Sequence, residues 1–237
     1  MTNFDYENIP IGYYDKVLIE GMRKNKGIQA NWHNKKFTKV YERISTSRSH
    51  LDYGCGPGTF IGNYSEIESV GVDISEVQIE YANKKYGDRF LFKKLGDEEL
   101  ENLIYKFDSI TMIELIEHLT DDEILKILDR LYNLVDSGGK IVLTTPNFRS
   151  FYSILEMIVN LVGKVSYKDQ HINKFNEQKL IDLLLKSKFT QIDLIKFLNF
   201  GIFFSIFNIN LALKINNFLE RLFNNKFGYL LLVELRK

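Results

Sequence analysis

Two kinds of chemistry-bearing residue stand out in the sequence: a glycine-punctuated turn followed by an acid, and four histidines. Residues 51–58 read Leu-Asp-Tyr-Gly-Cys-Gly-Pro-Gly. A short apolar run leads into Gly54, and helix-forming residues follow from Thr59. Glycine lets a backbone turn sharply and approach a ligand with no Cβ in the way, and a helix start behind it offers unpaired N–H groups. A second apolar run, Val70-Gly71-Val72, ends in Asp73, nineteen residues beyond Gly54. In a doubly wound sheet an acid at that place lies beside the first turn and can accept hydrogen bonds from both ribose hydroxyls of a nucleoside. The turn alone would be weak evidence. Turn, acid and frame together predict a nucleoside-binding crevice.

Histidine is the side chain best suited to take a proton near neutral pH. His118 follows the fourth predicted strand, at the sheet edge where acceptors lie, and is the first candidate for that role. His171, in a loop before a later helix, is the second. His33 lies beside Trp32 on a helix that would close over the crevice, and His50 opens the first strand at its far end, a structural place. Cys55 shares the glycine turn, but a small buried thiol is expected there rather than a nucleophile. No metal site is expected, because no His/Asp/Glu group has recognisable ligand spacing. Asp121-Asp122-Glu123 reads as a helix start.

The elements that must position these residues follow from the apolar pattern. Residues 10–45 read as helical with a polar break around 23–27. Then short apolar runs alternate with helix-period segments: HLDYG, GTFIGNYSEI, SVGVDIS, SEVQIEYANKKY, RFLFKK, FDSITMIE, DDEILKILDRLYNLV and GKIVLTTP. That alternation predicts βαβ units in a parallel sheet with helices on both faces. Ser75 and Thr120 are expected N-caps, and Ser137-Gly138-Gly139 is an expected helix stop before a new strand. After Pro146, SFYSILEMIVNLVG reads as an apolar helix, EQKLIDLLLKS as another, and FTQIDLIKFL and YLLLVELRK as strands. Pairing of those last two would close the sheet with an antiparallel hairpin.

The expected architecture is therefore α/β: a Rossmann-like, doubly wound, mostly parallel seven-stranded sheet with a C-terminal antiparallel hairpin. One domain is expected over 1–237. It divides into a helical N-terminal cap (1–45), a core (48–198), an apolar insertion (199–227) and the last strand (228–237). Thirty-one Lys and Arg balance thirty-one Asp and Glu, which argues against a nucleic-acid partner. The polar, acidic N-terminus lacks the order of a signal peptide, so a cytoplasmic location is expected. Residues 197–213 carry no charge, yet the run is too short and too interrupted by Asn to span a bilayer. It reads as a buried or substrate-covering element, with peripheral membrane contact or a homodimer surface as the alternatives.

The glycines are spaced G-x-G-x-G with Pro57 inside, whereas dinucleotide-binding turns use G-x-G-x-x-G; Thr59 stands where their third glycine would be. LDYGCGPG resembles the first motif of class I S-adenosylmethionine-dependent methyltransferases, with Tyr53 in place of the usual second aliphatic residue. The resemblance continues through GVDIS, Gly96-Asp97-Glu98, Phe107-Asp108, ELIEHL (114–119), Gly138-Gly139, TPN (145–147) and HINKFNEQKL (171–180). It covers about 150 residues and is nearest to the ubiquinone-biosynthesis O-methyltransferase-like, small-molecule branch. It implies S-adenosylmethionine as cofactor and S-adenosylhomocysteine as product. Asp52, Gly54, Gly56 and Gly58 would lie along the methionine portion, and Asp73 with Ile74 beside the ribose. Asp97 and Glu98 would meet the adenine, and the main chain near Glu114 and Leu115 would border the methionine tail.

The expected function is methyl transfer to a small-molecule acceptor, foremost O-methylation of a sugar, a glycan precursor or a similar metabolite. A quinone-like or lipid-linked acceptor is the alternative. From other classes, a NAD-dependent oxidoreductase or a catalytically silent cofactor-binding module would share the fold.

Overall fold

The computed structural model describes residues 10–96, 106–150 and 171–237. The chain enters through two helices, α1 (Tyr13–Lys24) and α2 (Ile28–Ile44), broken at Asn25 and Gly27, which both have positive φ. It then alternates: β1 (Ser49–Tyr53), α3 (Thr59–Tyr64), β2 (Glu68–Asp73), α4 (Glu76–Tyr86), β3 (Leu91–Lys94), β4 (Phe107–Ile113), α5 (Asp121–Leu134) and β5 (Val135–Pro146). After α6 (Glu177–Leu184) come β6 (Gln191–Phe197), a 3-10 turn (Phe200–Ile206), α7 (Ile209–Leu222) and β7 (Leu230–Arg236). The seven strands form one sheet in the order β3-β2-β1-β4-β5-β7-β6. All pairs are parallel except those made by β7, which lies antiparallel between β5 and β6. The expected sheet and closing hairpin are both present. Strand order reverses between β1 and β4, which opens the crevice where ligands of doubly wound sheets bind.

Apolar layers cover both faces. Leu128 and Leu131 of α5 and Leu180 and Leu184 of α6 bury against Ile110, Ile141 and Val233 on one side. On the other, Phe37, Val40 and Ile44 of α2 meet Phe60, Val142, Phe197 and Leu230. A smaller cluster, Ile61, Ile79, Ala82, Tyr86 and Phe92, packs α3 and α4 beside Cys55. Buried Asp15 of α1 ties the N-terminal helices to this layer. It accepts from the hydroxyls of Tyr81 (2.8 Å) and Tyr86 (2.6 Å) and pairs with Lys85.

Two local expectations are corrected. Thr120 makes the full capping box with Glu123, but Ser75 caps nothing with its side chain; its backbone N–H is turned instead to Asp73. Gly138 and Gly139 do not precede β5: they lie inside it, where the pairing with β4 is irregular and Gly138 has φ 78°. The apolar insertion, to which the sequence pattern assigned no element, holds α7 and the 3-10 turn. The apolar helix expected after Pro146 falls on 151–170, outside the described residues.

Candidate active site

The first turn is built as its glycines require. Gly54, Gly56 and Gly58 all have positive φ (83°, 52° and 71°). The N–H groups of Gly54 and Cys55 both donate to Val72 O of β2, at 2.8 and 3.0 Å, which anchors the turn to the neighbouring strand. The glycines serve different ends. A Cβ on Gly58 would lie 2.7 Å from the Phe92 ring and 3.0 Å from Ala82, so Gly58 permits close packing of α3. A Cβ on Gly54 would press on Leu115 at 3.0 Å. A Cβ on Gly56 would meet nothing within 4 Å; that position faces open space, as a cradle for a ligand should.

Asp73 ends β2 and is almost wholly buried. One carboxylate oxygen accepts from Gly56 N and the other from Ser75 N, each at 2.8 Å. Burial pushes its pKa upward while those amides pull it down. A carboxylate offers about four lone-pair positions, so acceptor capacity remains beyond the Gly56 and Ser75 amides, although the Ile74 N–H also acts on the carboxylate. The geometry thus suits acceptance from a ribose hydroxyl. Ile74, next in sequence, is exposed beside it.

Asp52 and His50 belong to a buried polar chain running through the sheet. Thr111 of β4 donates to Asp52 at 2.6 Å, His50 Nε2 lies 2.8 Å from the Thr111 hydroxyl, and His50 Nδ1 lies 3.0 Å from Ser69. Burial raises Asp52 to about 7 and lowers His50 to about 3. His50 is therefore neutral and structural. Burial also raises the Cys55 thiol, the inert behaviour expected of it.

The β4 edge supplies the second half of the site. Glu114 follows β4 with φ 50°, a conformation costly for a side-chain-bearing residue. Its backbone N–H reaches Thr144 O at 3.0 Å. Its carboxylate takes Trp32 Nε1 at 2.8 Å and pairs with Lys36, both on α2. The expected closing helix therefore reaches the crevice through Trp32. His33 points elsewhere: it is buried between Tyr14 and Phe37, and that burial lowers its pKa.

Beyond Glu114 the chain forms a short 3-10 turn, Ile116–His118. Glu117 is buried and accepts from the Thr145 hydroxyl at 3.0 Å. Desolvation and the Glu114 charge push it up to about 7, opposed by His171. The His118 and His171 rings stack with centroids 5.3 Å apart, and Phe148 stands edge-on to His171. One donor atom from each of Glu117, His118 and His171 lies within 4.8 Å of the others. Asn173 makes this meeting possible. Its N–H donates to Glu117 O (2.9 Å) and its amide group to Leu119 O (2.7 Å), which staples the 171–176 segment to the β4 edge.

The structure thus unites the two histidines favoured on sequence and adds Glu117, which residue spacing did not reveal as a partner. It also assembles a donor set, two imidazoles and a carboxylate, able to hold a divalent cation; ligand spacing along the chain gave no sign of it, because His171 is fifty-three residues from His118. Asp97 and Glu98 lie outside the described residues.

The family model described as a methyltransferase domain matches residues 28–194, more than half of the chain. The chain belongs to the methyltransferase-domain family. Its fold and its first glycine motif are those of class I S-adenosylmethionine-dependent methyltransferases. The "Ubiquinone biosynthesis O-methyltransferase" of Coxiella burnetii is 29% identical over 136 residues, 53% of this chain and 57% of that protein. The chain thus spans little more than half the length of that curated relative. Among solved structures, a possible histamine N-methyltransferase from Thermotoga maritima superposes with a TM-score of 0.62 at 18% identity, covering 94% of this chain and 97% of that one. The magnesium protoporphyrin IX methyltransferase of Synechocystis, crystallised with S-adenosylhomocysteine, gives 0.56 at 14% identity and covers 98% and 99%. At such identities the solved neighbours establish the methyltransferase fold.

Proposed function

We propose that the methyltransferase domain passes the methyl group of S-adenosylmethionine to a hydroxyl oxygen of a small acceptor. The observation that carries this reading is the convergence of His118, His171 and Glu117 on the β4 edge, beside the crevice whose other wall is Gly56 and Asp73. The cofactor supplies an activated methyl on a sulfonium sulfur. The protein's part is to align acceptor with methyl, a proximity effect worth several kcal/mol, and to manage the acceptor's proton.

A hydroxyl needs that second service. His118 or His171 takes the proton as the oxygen attacks, and the nearby Glu117 carboxyl, poised at about 7, steadies the imidazolium by charge. Asp73 would hold the ribose through its remaining acceptor capacity. Gly56 would let the main chain lie against the methionine portion, and Asp52 would set the charge beneath it.

The sequence placed a sugar or glycan precursor first among acceptors. The relative named for ubiquinone biosynthesis favours the quinone-like or lipid-linked hydroxyl instead. Incubation with methyl-labelled S-adenosylmethionine and fractionated extract, followed by mass analysis, tests both. Label on an O-methylated compound supports the proposal. Label on nitrogen or carbon alone, or none despite cofactor binding, refutes it, the last outcome favouring a silent binding module.

A further inference from the structure

The insertion carries a surface that methyl transfer does not explain. Among the described residues, nine of the seventeen exposed large apolar side chains fall within residues 200–227. Scattered exposure of this kind needs no explanation, but concentration does. Phe207 is 72% exposed, Phe218 64% and Leu222 61%.

α7 shows how they are arranged. At 100° per residue, Leu211, Ile215, Phe218 and Leu222 (i, i+4, i+7, i+11) share one stripe along the helix. The opposite stripe, Ile209, Ala212, Asn216 and Glu220, is buried. α7 is thus apolar on the side facing away from the protein and fixed by polar groups on the side facing it. Glu220 pairs with Lys35 of α2 at 2.9 Å and accepts from Leu198 N at 3.0 Å. Asn216 accepts from Asn199 N at 3.1 Å. Gly201 leaves no room for a Cβ against Asn216 (2.7 Å to its N). The stripe is therefore displayed on a rigid mount.

Charge selects the occupant. The charged residues of 199–229 are Lys214, Glu220, Arg221 and Lys226. Glu220 is buried and paired, so the exposed charge is wholly positive. On the helical wheel Lys214 and Arg221 border the apolar stripe on one side. A second copy docking through the same surface would bring cations to cations with no exposed acid between them. An interfacial helix has apolar residues on one face and flanking cations that reach anionic headgroups. None of the described helices is long and apolar enough to cross a membrane.

We infer that α7 and the 3-10 turn before it form a docking surface for anionic lipid bilayers, with α7 lying in the plane of the headgroups. Phe207, Leu211, Phe218 and Leu222 enter the acyl boundary, and Lys214, Arg221 and Lys226 contact the headgroups. This inference does not rest on methyl transfer.

The test is sedimentation of the full chain with vesicles of phosphatidylcholine alone and of phosphatidylcholine mixed with phosphatidylglycerol. The chain should partition onto the mixed vesicles, and added salt should weaken that partition. F207S/F218S should reduce it at least tenfold. K214E/R221E should remove the preference for phosphatidylglycerol, each cation near an anionic surface being worth roughly fivefold in partition. Both variants change exposed side chains, so cofactor binding and melting temperature should match wild type and report that the fold is intact. Absence of wild-type binding, or undiminished binding by F207S/F218S, would overturn the inference. So would a concentration-dependent dimer that F207S/F218S abolishes while vesicle binding stays absent.

Discussion

Replacing Asp73 by Asn changes one oxygen of the site into an NH2 group and leaves the side chain's shape unchanged. In the free protein the carboxylate takes the Gly56 and Ser75 amides, both at 2.8 Å. Asn can accept from one of them and meets the other donor with a donor. Part of that loss is recovered, because burial already disfavours the charge that Asn removes. The net effect on folding should be on the order of 1 kcal/mol, a melting shift of roughly 2–4 °C in a chain of this length.

The effect on the cofactor should be larger. Two ribose hydroxyls would each make a charge-assisted hydrogen bond with Asp73, worth about 1.5–3 kcal/mol apiece. Asn forfeits one of these bonds and neutralises the other. A loss of about 2–4 kcal/mol follows, or about thirty- to a thousandfold in dissociation constant. Calorimetric titration with S-adenosylhomocysteine measures the affinity and scanning fluorimetry the melting temperature. A variant that loses stability yet binds within about threefold of wild type would reduce Asp73 to a staple of the turn and refute its ribose-binding role.

Gly56→Ala should fold, paying only about 1–2 kcal/mol for its left-handed backbone, but should bind the cofactor at least tenfold more weakly by calorimetry. Gly58→Ala should lose more stability because its Cβ meets Phe92. His118→Asn and His171→Asn should each lower turnover with a hydroxyl acceptor by about 10²–10⁴ with unchanged cofactor affinity; unchanged kcat in both would remove proton transfer from the site. Glu117, raised to about 7, binds more protons folded than unfolded between its ordinary value and about 7. Its contribution to stability therefore falls as pH rises through that window. His50, lowered to about 3, acts oppositely, because the unfolded chain takes up a proton near 6.5 that the folded chain refuses. Relative to wild type, Glu117→Gln should thus lose less melting temperature, or gain more, as pH rises from about 5 to about 7; parallel melting curves would contradict the assignment.

Half of the site could be read along the chain and half could not, for a physical reason. Gly54, Gly56 and Asp73 act through backbone conformation and strand-end position, which local sequence encodes: a glycine where φ must be positive, an acid where a parallel strand stops. The sheet was legible for the same reason, its period-2 and period-3.6 segments alternating without interruption. The grouping of Glu117 with His118 and His171 depends on a loop fifty-three residues away, tied down by Asn173, and no spacing rule reports that. The misplaced start of β5 has a local cause. Gly138-Gly139 does mark irregular backbone, but the irregularity is a break in strand pairing and not a helix end. Ser75 has the right identity for a cap, yet Asp73 reaches the helix start first.

α2 joins these halves to the insertion, and its two attachments differ in kind. Trp32 and Lys36 hold Glu114 at the cofactor crevice, whereas Lys35, buried on a neighbouring face of the same helix, holds Glu220 of α7. Removing one member of a buried pair leaves an uncompensated charge and costs about 3–5 kcal/mol. Removing both charges costs far less, because neither desolvated charge remains. Lys35→Met alone should therefore loosen α7 from α2 and also disturb Glu114, since a shift of α2 moves Trp32 and Lys36 with it. Lys35→Met with Glu220→Gln, whose amide oxygen can still accept from Leu198 N, should restore both stability and cofactor affinity. If the single variant lost stability without any change in cofactor affinity, α2 would be two independent anchors and not a rigid lever between insertion and crevice.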